Sequence, residues 1–191
     1  ARNESWRRKF DGDVMARAEP NAGHLAIQEW FGVGKLGGVI TQNVDNLHQL
    51  SGLDEDRIVE LHGNATYASC LSCGARYELS ELREQFQSHG EVAPCPLCGG
   101  LIKTATISFG QSMPESEMAK AQQMVEACDL LIVLGSSLTV YPAAGFPRYA
   151  KQLGASLVIV NREATDQDHL ADLVIHESIG QVMSAAVIQA Q

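Results

Sequence analysis

The decapeptide DLLIVLGSSL, residues 129–138, decides the fold. Leu130–Leu134 is an unbroken apolar run, too short for a core helix and without the polar alternation of a half-exposed strand. Such a run reads as a strand buried on both faces, the kind that parallel sheets use. It stops abruptly at Gly135-Ser136-Ser137. The same figure recurs on either side. ASLVIVNRE (155–163) is an apolar strand ending in Asn161-Arg162-Glu163, and DLVIHES (172–178) is a third. Earlier in the chain, GGVITQNVDN (37–46) gives a strand over Val39–Thr41 that runs into Gln42, Asn43, Val44 and Asp45. DRIVELHGN (56–64) gives a strand over Ile58–Leu61 that runs into His62 and Asn64. Helical stretches alternate with these strands. SMPESEMAKAQQMVEAC (112–128) has Ser112 as a candidate cap, Pro114 in the first turn and Glu115 and Glu117 at the positive end. AAGFPRYAKQLG (143–154) stops at Gly154, and IGQVMSAAVIQA (179–190) closes the chain. Near the start, residues 1–19 read as a weak helix anchored by Trp6 and Phe10. A second helix follows, with Leu25, Ala26, Ile27 and Trp30 as its apolar stripe.

Short buried strands alternating with helices specify the α/β class: a Rossmann-like, doubly wound parallel sheet whose ligands bind at the C-terminal strand edge. Polar groups end four of the strands, along that one edge. Gly135-Ser136-Ser137 can offer backbone N–H groups to phosphate, and Asn161 or Glu163 can accept from ribose hydroxyls. Each signal also has a plainer reading. Asn43 and Asp45 are good helix caps, Gly-Ser-Ser is a common strand-to-helix turn, and a lone histidine in a turn is usually structural. The repetition at four strand ends favours a nucleotide cleft.

The cysteines give a second, independent signal. Cys70-x-x-Cys73 and Cys95-x-x-Cys98 are two knuckles, and four thiolates satisfy a tetrahedral Zn²⁺. A site closed by four cysteines leaves no open coordination position, so one structural zinc is expected. Neither His48, His62 nor His89 is needed for it. The residues around the cysteines read as loop-rich, with a helix over YELSELREQF (77–86). The inserted zinc-binding module is drawn over 67–104, and the Rossmann-like domain over 1–66 and 105–191, with residues 1–20 possible members of the smaller part. Cys128, alone, reads as a small buried hydrophobe.

The chain has 191 residues, 45% of them hydrophobic, and a formal net charge of −9. This acidity argues against a general nucleic-acid partner. No run approaches the ~18–20 apolar residues of a membrane span, and no basic–apolar–small leader opens the sequence. No nucleic-acid or membrane partner is expected, and a cytoplasmic setting is.

Taken together, TQNVDNLHQLSG, ELHGN, the two cysteine pairs, ISFGQSMP, GSSLTVYPAA and VNRE resemble the sirtuin family of NAD-dependent protein deacylases, in that family's order; AEPNAGH fits as well. The resemblance implies an enzyme that transfers the acyl group of acyl-lysine to ADP-ribose with release of nicotinamide. His62 would be the general base, an imidazole with a pKa suited to neutral pH. Gln42 and Asn43 would hold the ribose, and Asp45 the nicotinamide carboxamide. Val44, Gly135, Ser136 and Ser137 would line the cofactor cleft; Asn161, Arg162 and Glu163 would meet the adenosine half, and Ile179 the adenine. Backbone at Phe109, Gly110 and Val140 would take the substrate peptide as an added strand. Zinc would only hold the small module. The family's Gly-Ala-Gly-x-Ser loop does not occur in these 191 residues. They are therefore expected, taken alone, to bind NAD weakly and to turn over little. Two other classes remain open: a non-catalytic zinc-stabilised module that binds nucleotide or a partner, and an NAD-dependent oxidoreductase. The latter lacks its Gly-x-Gly-x-x-Gly turn.

Overall fold

The structure, a computed structural model, describes residues 2–12, 18–108 and 110–190. It divides into two compact units. The first comprises Ala1–Glu19, Asn43–Asn46 and His62–Ser112, and the second Pro20–Gln42, Leu47–Leu61 and Met113–Gln191. The stretch 67–104 lies inside the first.

The second unit carries the parallel sheets. β1 (Val39–Thr41) pairs in parallel with β2 (Ile58–Glu60), with Val39 opposite Ile58. β6 (Leu130–Leu134), β7 (Ser156–Val160) and β8 (Leu173–Ile175) form a second parallel sheet in that order, with Leu130 opposite Ser156 and Val158 opposite Leu173. Successive strand residues point to opposite faces, and both faces of the β1–β2 pair are covered, whereas Leu130 of β6 and Leu173 of β8 are exposed, so those two strands are less buried than their apolar runs predict. Val39 and Ile58 pack with Ile27 of α2 (Ala22–Gly32) and Met183 of α7 (Ile179–Ala190). Their neighbours Ile40 and Val59 pack with Ala121 and Met118 of α5 (Glu115–Ala127) and Phe146 of α6 (Phe146–Gln152). This is the doubly wound arrangement that the apolar runs called for. Val59, Leu61, Leu157 and Ile159 are completely buried; cutting one of these to alanine would cost about 2–5 kcal/mol.

Three details differ from the sequence reading. Leu25 is not part of the α2 stripe: it is 48% exposed, while Ala26 and Ile27 are buried. α5 starts from Pro114 with no side-chain cap, so Ser112 does not serve. Cys128 is only half-buried, its Sγ donating to the Val125 carbonyl at 3.2 Å.

The first unit is more ordered than its composition suggested. The cysteine region is not mainly loop. β3 (Gly63–Cys70) is the centre of an antiparallel sheet, flanked by β4 (Arg76–Glu78) and β5 (Ile102–Thr106). α1 (Arg2–Asp11) and α4 (Leu79–His89) supply its apolar cover. Trp6 and Phe10, one turn apart on α1, stack with ring centroids 5.3 Å apart, and Phe10 meets Phe86 of α4 at 5.6 Å. Trp6, Ala68, Leu82, Val92 and Ile102 share this core with Cys70 and Cys95. Among the described residues, no helix is long and apolar enough to cross a membrane.

Candidate functional site

The four cysteines converge. The Cys70 and Cys98 sulfurs are 3.5 Å apart, those of Cys73 and Cys95 3.7 Å, and all four Sγ atoms lie within 4.8 Å of one another. A tetrahedron of sulfurs about 2.3 Å from zinc has edges of about 3.8 Å, so the donor set fits the ion. The knuckles are built alike. The Gly74 N–H donates to the Cys70 carbonyl at 2.9 Å, and the Gly99 N–H to the Cys95 carbonyl at 2.8 Å. Gly100 closes the second knuckle against the first: a Cβ there would lie 2.8 Å from the Cys70 sulfur. The Ser72 N–H lies 3.4 Å from that sulfur.

Tyr77, which the sequence reading left out, sits 2.9 Å from the Cys95 sulfur through its hydroxyl. That hydrogen bond draws the Cys95 thiol down to about 6, and the same contact raises Tyr77 above its ordinary range. The Cys73 backbone lowers Cys70 by hydrogen bonding. At Cys98 the Gly100 backbone also lowers, but bonds to the Cys73 and Cys70 side chains outweigh it and lift the thiol to about 12.

The first unit also holds the predicted catalytic residues Asn43, Asp45 and His62. Asn43 Nδ2 donates to Asp45 Oδ2 at 3.3 Å. His62 is half-buried, and its carbonyl accepts from the Ile107 N–H at 2.8 Å, which extends the β3–β5 pairing beneath it. Gly63 follows with φ +71°; a Cβ there would lie 1.9 Å from the Ala105 carbonyl oxygen. Only glycine fits. Val44, expected in the cofactor cleft, uses its carbonyl to accept from the Ala65 N–H at 2.8 Å. Gly110 is exposed, and Phe109 lies outside the described residues.

The second unit holds the other predicted cofactor residues, at the C-terminal ends of its parallel strands. The Ser136 Oγ donates to Gln42 Oε1 at 3.4 Å, which brings the ends of β6 and β1 together. Gly135 has φ +64°, and a Cβ there would strike Ile179 Cδ1 at 2.8 Å, so Gly135 and Ile179 are neighbours. The Ser137 and Thr139 hydroxyls pair at 2.9 Å. At the end of β7, Asn161 Nδ2 donates to the Glu163 carbonyl at 2.7 Å, and the His176 ring meets the Asn161 carbonyl at 2.9 Å. Arg162 and Glu163 are exposed, and Val140 is 44% exposed. Hydroxyls, amides and a side-chain-free glycine at the carboxyl edge of parallel strands are a donor set that fits the ribose and phosphate groups of a dinucleotide.

Comparison with known proteins places this arrangement. Residues 1–142 match the model of the Sir2 family. The chain is 52% identical over 188 residues to an NAD-dependent protein deacetylase of Rhodopseudomonas palustris, covering 98% of this chain and 74% of that protein. It is 41% identical over 171 residues to NAD-dependent protein deacylase 2 of Archaeoglobus fulgidus, covering 89% and 66%. Among solved structures, a Sir2 structure with p53 peptide and NAD⁺ superposes with a TM-score of 0.89 at 32% identity, covering 98% of this chain and 78% of that one. A Sir2 structure bound to a propionylated peptide gives 0.88 at the same identity and coverage.

Proposed function

The chain belongs to the Sir2 family, and from that premise we propose that it is an NAD-dependent protein lysine deacetylase, passing the acyl group of acyl-lysine to ADP-ribose with release of nicotinamide. The match to a named deacetylase across 98% of the chain carries the reading. The donor set at the ends of β1, β6 and β7 supports NAD as the cofactor, and the four cysteines support one structural zinc.

When bound, NAD would supply an electrophilic ribose carbon with nicotinamide as its leaving group. The His62 imidazole would act as the general base that accepts the proton of a ribose hydroxyl. Gln42 and Asn43 hold the ribose and Asp45 the carboxamide. Gly135, Ser136 and Ser137 receive the phosphate-bearing half, and Asn161, Arg162, Glu163 and Ile179 the adenosine. Backbone at Phe109, Gly110 and Val140 takes the extended peptide. The zinc-binding module is assigned to 67–104 and the NAD-binding domain to 1–66 and 105–191. The cytoplasm is the proposed compartment, because four thiols kept for a metal suit a reducing environment.

The test is nicotinamide release from NAD in the presence of an acetyl-lysine peptide, using the longest natural chain that contains these residues. His62→Ala is expected to lower kcat by at least about 100-fold, the scale of a lost general base, while the melting temperature stays put. An unchanged rate would overturn the assignment of His62, and no NAD-dependent release at all would overturn the function.

A further inference from the structure

Two segments of the first unit carry the residues assigned to chemistry, and residues 47–61 separate them in sequence. One is the turn at His62; the other is the excursion Asn43–Asn46. Hydrogen bonds of the backbone and of side chains join them. The Ala65 N–H donates to the Val44 carbonyl at 2.8 Å, and Asn64 Nδ2 donates to Asn46 Oδ1 at 2.9 Å. Asn64 is 2% exposed. A buried side-chain amide that ties the start of a strand to a loop is costly to leave unmatched, so its geometry is closely constrained.

The direction of the amide bridge can be deduced. Asn64 Oδ1 accepts from the Thr66 N–H at 2.8 Å and from Thr66 Oγ1 at 2.7 Å. A backbone N–H can only donate, so the Asn64 oxygen must face Thr66 and its NH₂ must face Asn46. Asn46 therefore has to present an oxygen. Asn46 also has φ +65°, a conformation that asparagine tolerates better than most residues. Position 46 thus needs a left-handed backbone and a side-chain acceptor together. Asparagine and aspartate supply both, whereas glycine supplies only the first.

We propose that Asn46 and Asn64 are a positioning pair: their amide bridge fixes the Asn43–Asp45 loop in register with His62, so that the base and the carboxamide- and ribose-holding groups are presented as one rigid set. Neither residue touches the reacting atoms. The inference rests on the deacetylase reading for its effect on rate, while the bridge itself can be tested without that reading. A displacement on the order of 1 Å between reacting groups can cost about 100-fold in rate, and the bridge is a side-chain link that resists such a displacement.

The experiment compares Asn46→Gly, Asn46→Asp and the double variant Asn46→Asp with Asn64→Asp. Asn46→Gly keeps the backbone conformation and loses the acceptor. It is expected to lower kcat about 10- to 100-fold, with the KM for acetyl peptide and the melting temperature close to wild type. Asn46→Asp restores an acceptor and is expected to recover most of kcat. The double variant sets two carboxylates against each other and is expected to lose it again. In the same proteins, the Asn64 side-chain NH₂ protons should exchange slowly in the wild type and Asn46→Asp and quickly in Asn46→Gly. Equal kcat in Asn46→Gly and wild type overturns the proposal, as does an Asn46→Asp variant as impaired as Asn46→Gly. A rate loss that merely tracks lowered stability assigns the bridge to folding and also overturns it. If the wild type gives no NAD-dependent release at all while the exchange pattern appears as described, the bridge stands and the deacetylase reading fails instead.

Discussion

Gly63→Ala tests the account of the His62 turn at its tightest point. Two costs can be separated. The first is conformational: φ of +71° costs a residue with a Cβ about 1–2 kcal/mol. The second is steric. The new Cβ would lie 1.9 Å from the Ala105 oxygen, 3.0 Å from the Ala105 carbonyl carbon and 3.3 Å from Thr106 Cα. All three are backbone atoms, so no side chain can swing away; β5 itself has to retreat. That retreat breaks the pairing of Gly63 with Thr106 and the bond from the Ile107 N–H to the His62 carbonyl. Each such bond is worth about 0.5–1.5 kcal/mol, and forced overpacking adds about 1–3 kcal/mol. The total expected loss is about 3–8 kcal/mol. Gly90→Ala is the internal control. Gly90 closes α4 at φ +75°, with no heavy atom within 4 Å of a Cβ built there, so it carries the conformational cost alone. Urea unfolding of both variants gives the comparison. Losses equal within about 0.5 kcal/mol, the usual limit of additivity, would refute the steric argument and with it the claim that β5 fixes the His62 backbone. If the argument holds, the folded fraction of Gly63→Ala should also show a lowered kcat, and Gly90→Ala should not.

Two further outcomes follow from the same geometry. Metal analysis should give one zinc per chain. Tyr77→Phe, which removes the hydroxyl 2.9 Å from the Cys95 sulfur, should weaken zinc retention about 10- to 100-fold in competition with a chromophoric chelator; unchanged retention would show that the hydroxyl does nothing for the site. In the second unit, the Lys151 Nζ holds the Asp172 carboxyl below its usual range, and the buried Leu157 N–H adds to that. A folded-state pKa below the unfolded one stabilises above about 3.9, and the contribution fades as pH falls through the folded value. Asp172→Asn should therefore lower the melting temperature at pH 7, and the difference should vanish in strong acid. A gap that persists there would point to shape rather than charge.

What the sequence reveals depends on whether a feature is local. β6, β7 and β8 are legible because each is a short apolar run that ends abruptly in polar residues, although the structure buries β7 well and leaves Leu130 of β6 and Leu173 of β8 exposed. The zinc ligands are legible because a knuckle places two thiols three residues apart. β3 is not. GNATYASC has small and polar residues at most positions, and its buried residues do not follow a simple alternation. The strand exists because β4 and β5 pair with it and because Trp6, from the far end of the sequence, covers it. The pattern of YELSELREQF places Tyr77 at the start of a helix; the helix begins two residues later, and Tyr77 itself lies in β4, where it reaches Cys95. The Asn64–Asn46 bridge has no local signature at all, since it joins residues eighteen positions apart.

β3 also gives the zinc a consequence beyond its own knuckles. The strand starts at Gly63, directly after His62, and ends at Cys70, the first metal ligand. Its partner β5 begins just after the second knuckle at Ile102, and Ile107, just past its end, donates to the His62 carbonyl. Both strands that support the His62 turn are therefore anchored at their far ends by cysteines, and each residue of strand spans about 3.3 Å with little give along its axis. Loss of zinc frees those ends, and with them the register between Gly63 and Ala105 that leaves room for a glycine alone. On this geometry a zinc remote from the reaction would still be a condition for it. Cys95→Ala should accordingly lower kcat along with zinc content, although Cys95 itself takes no part in the chemistry.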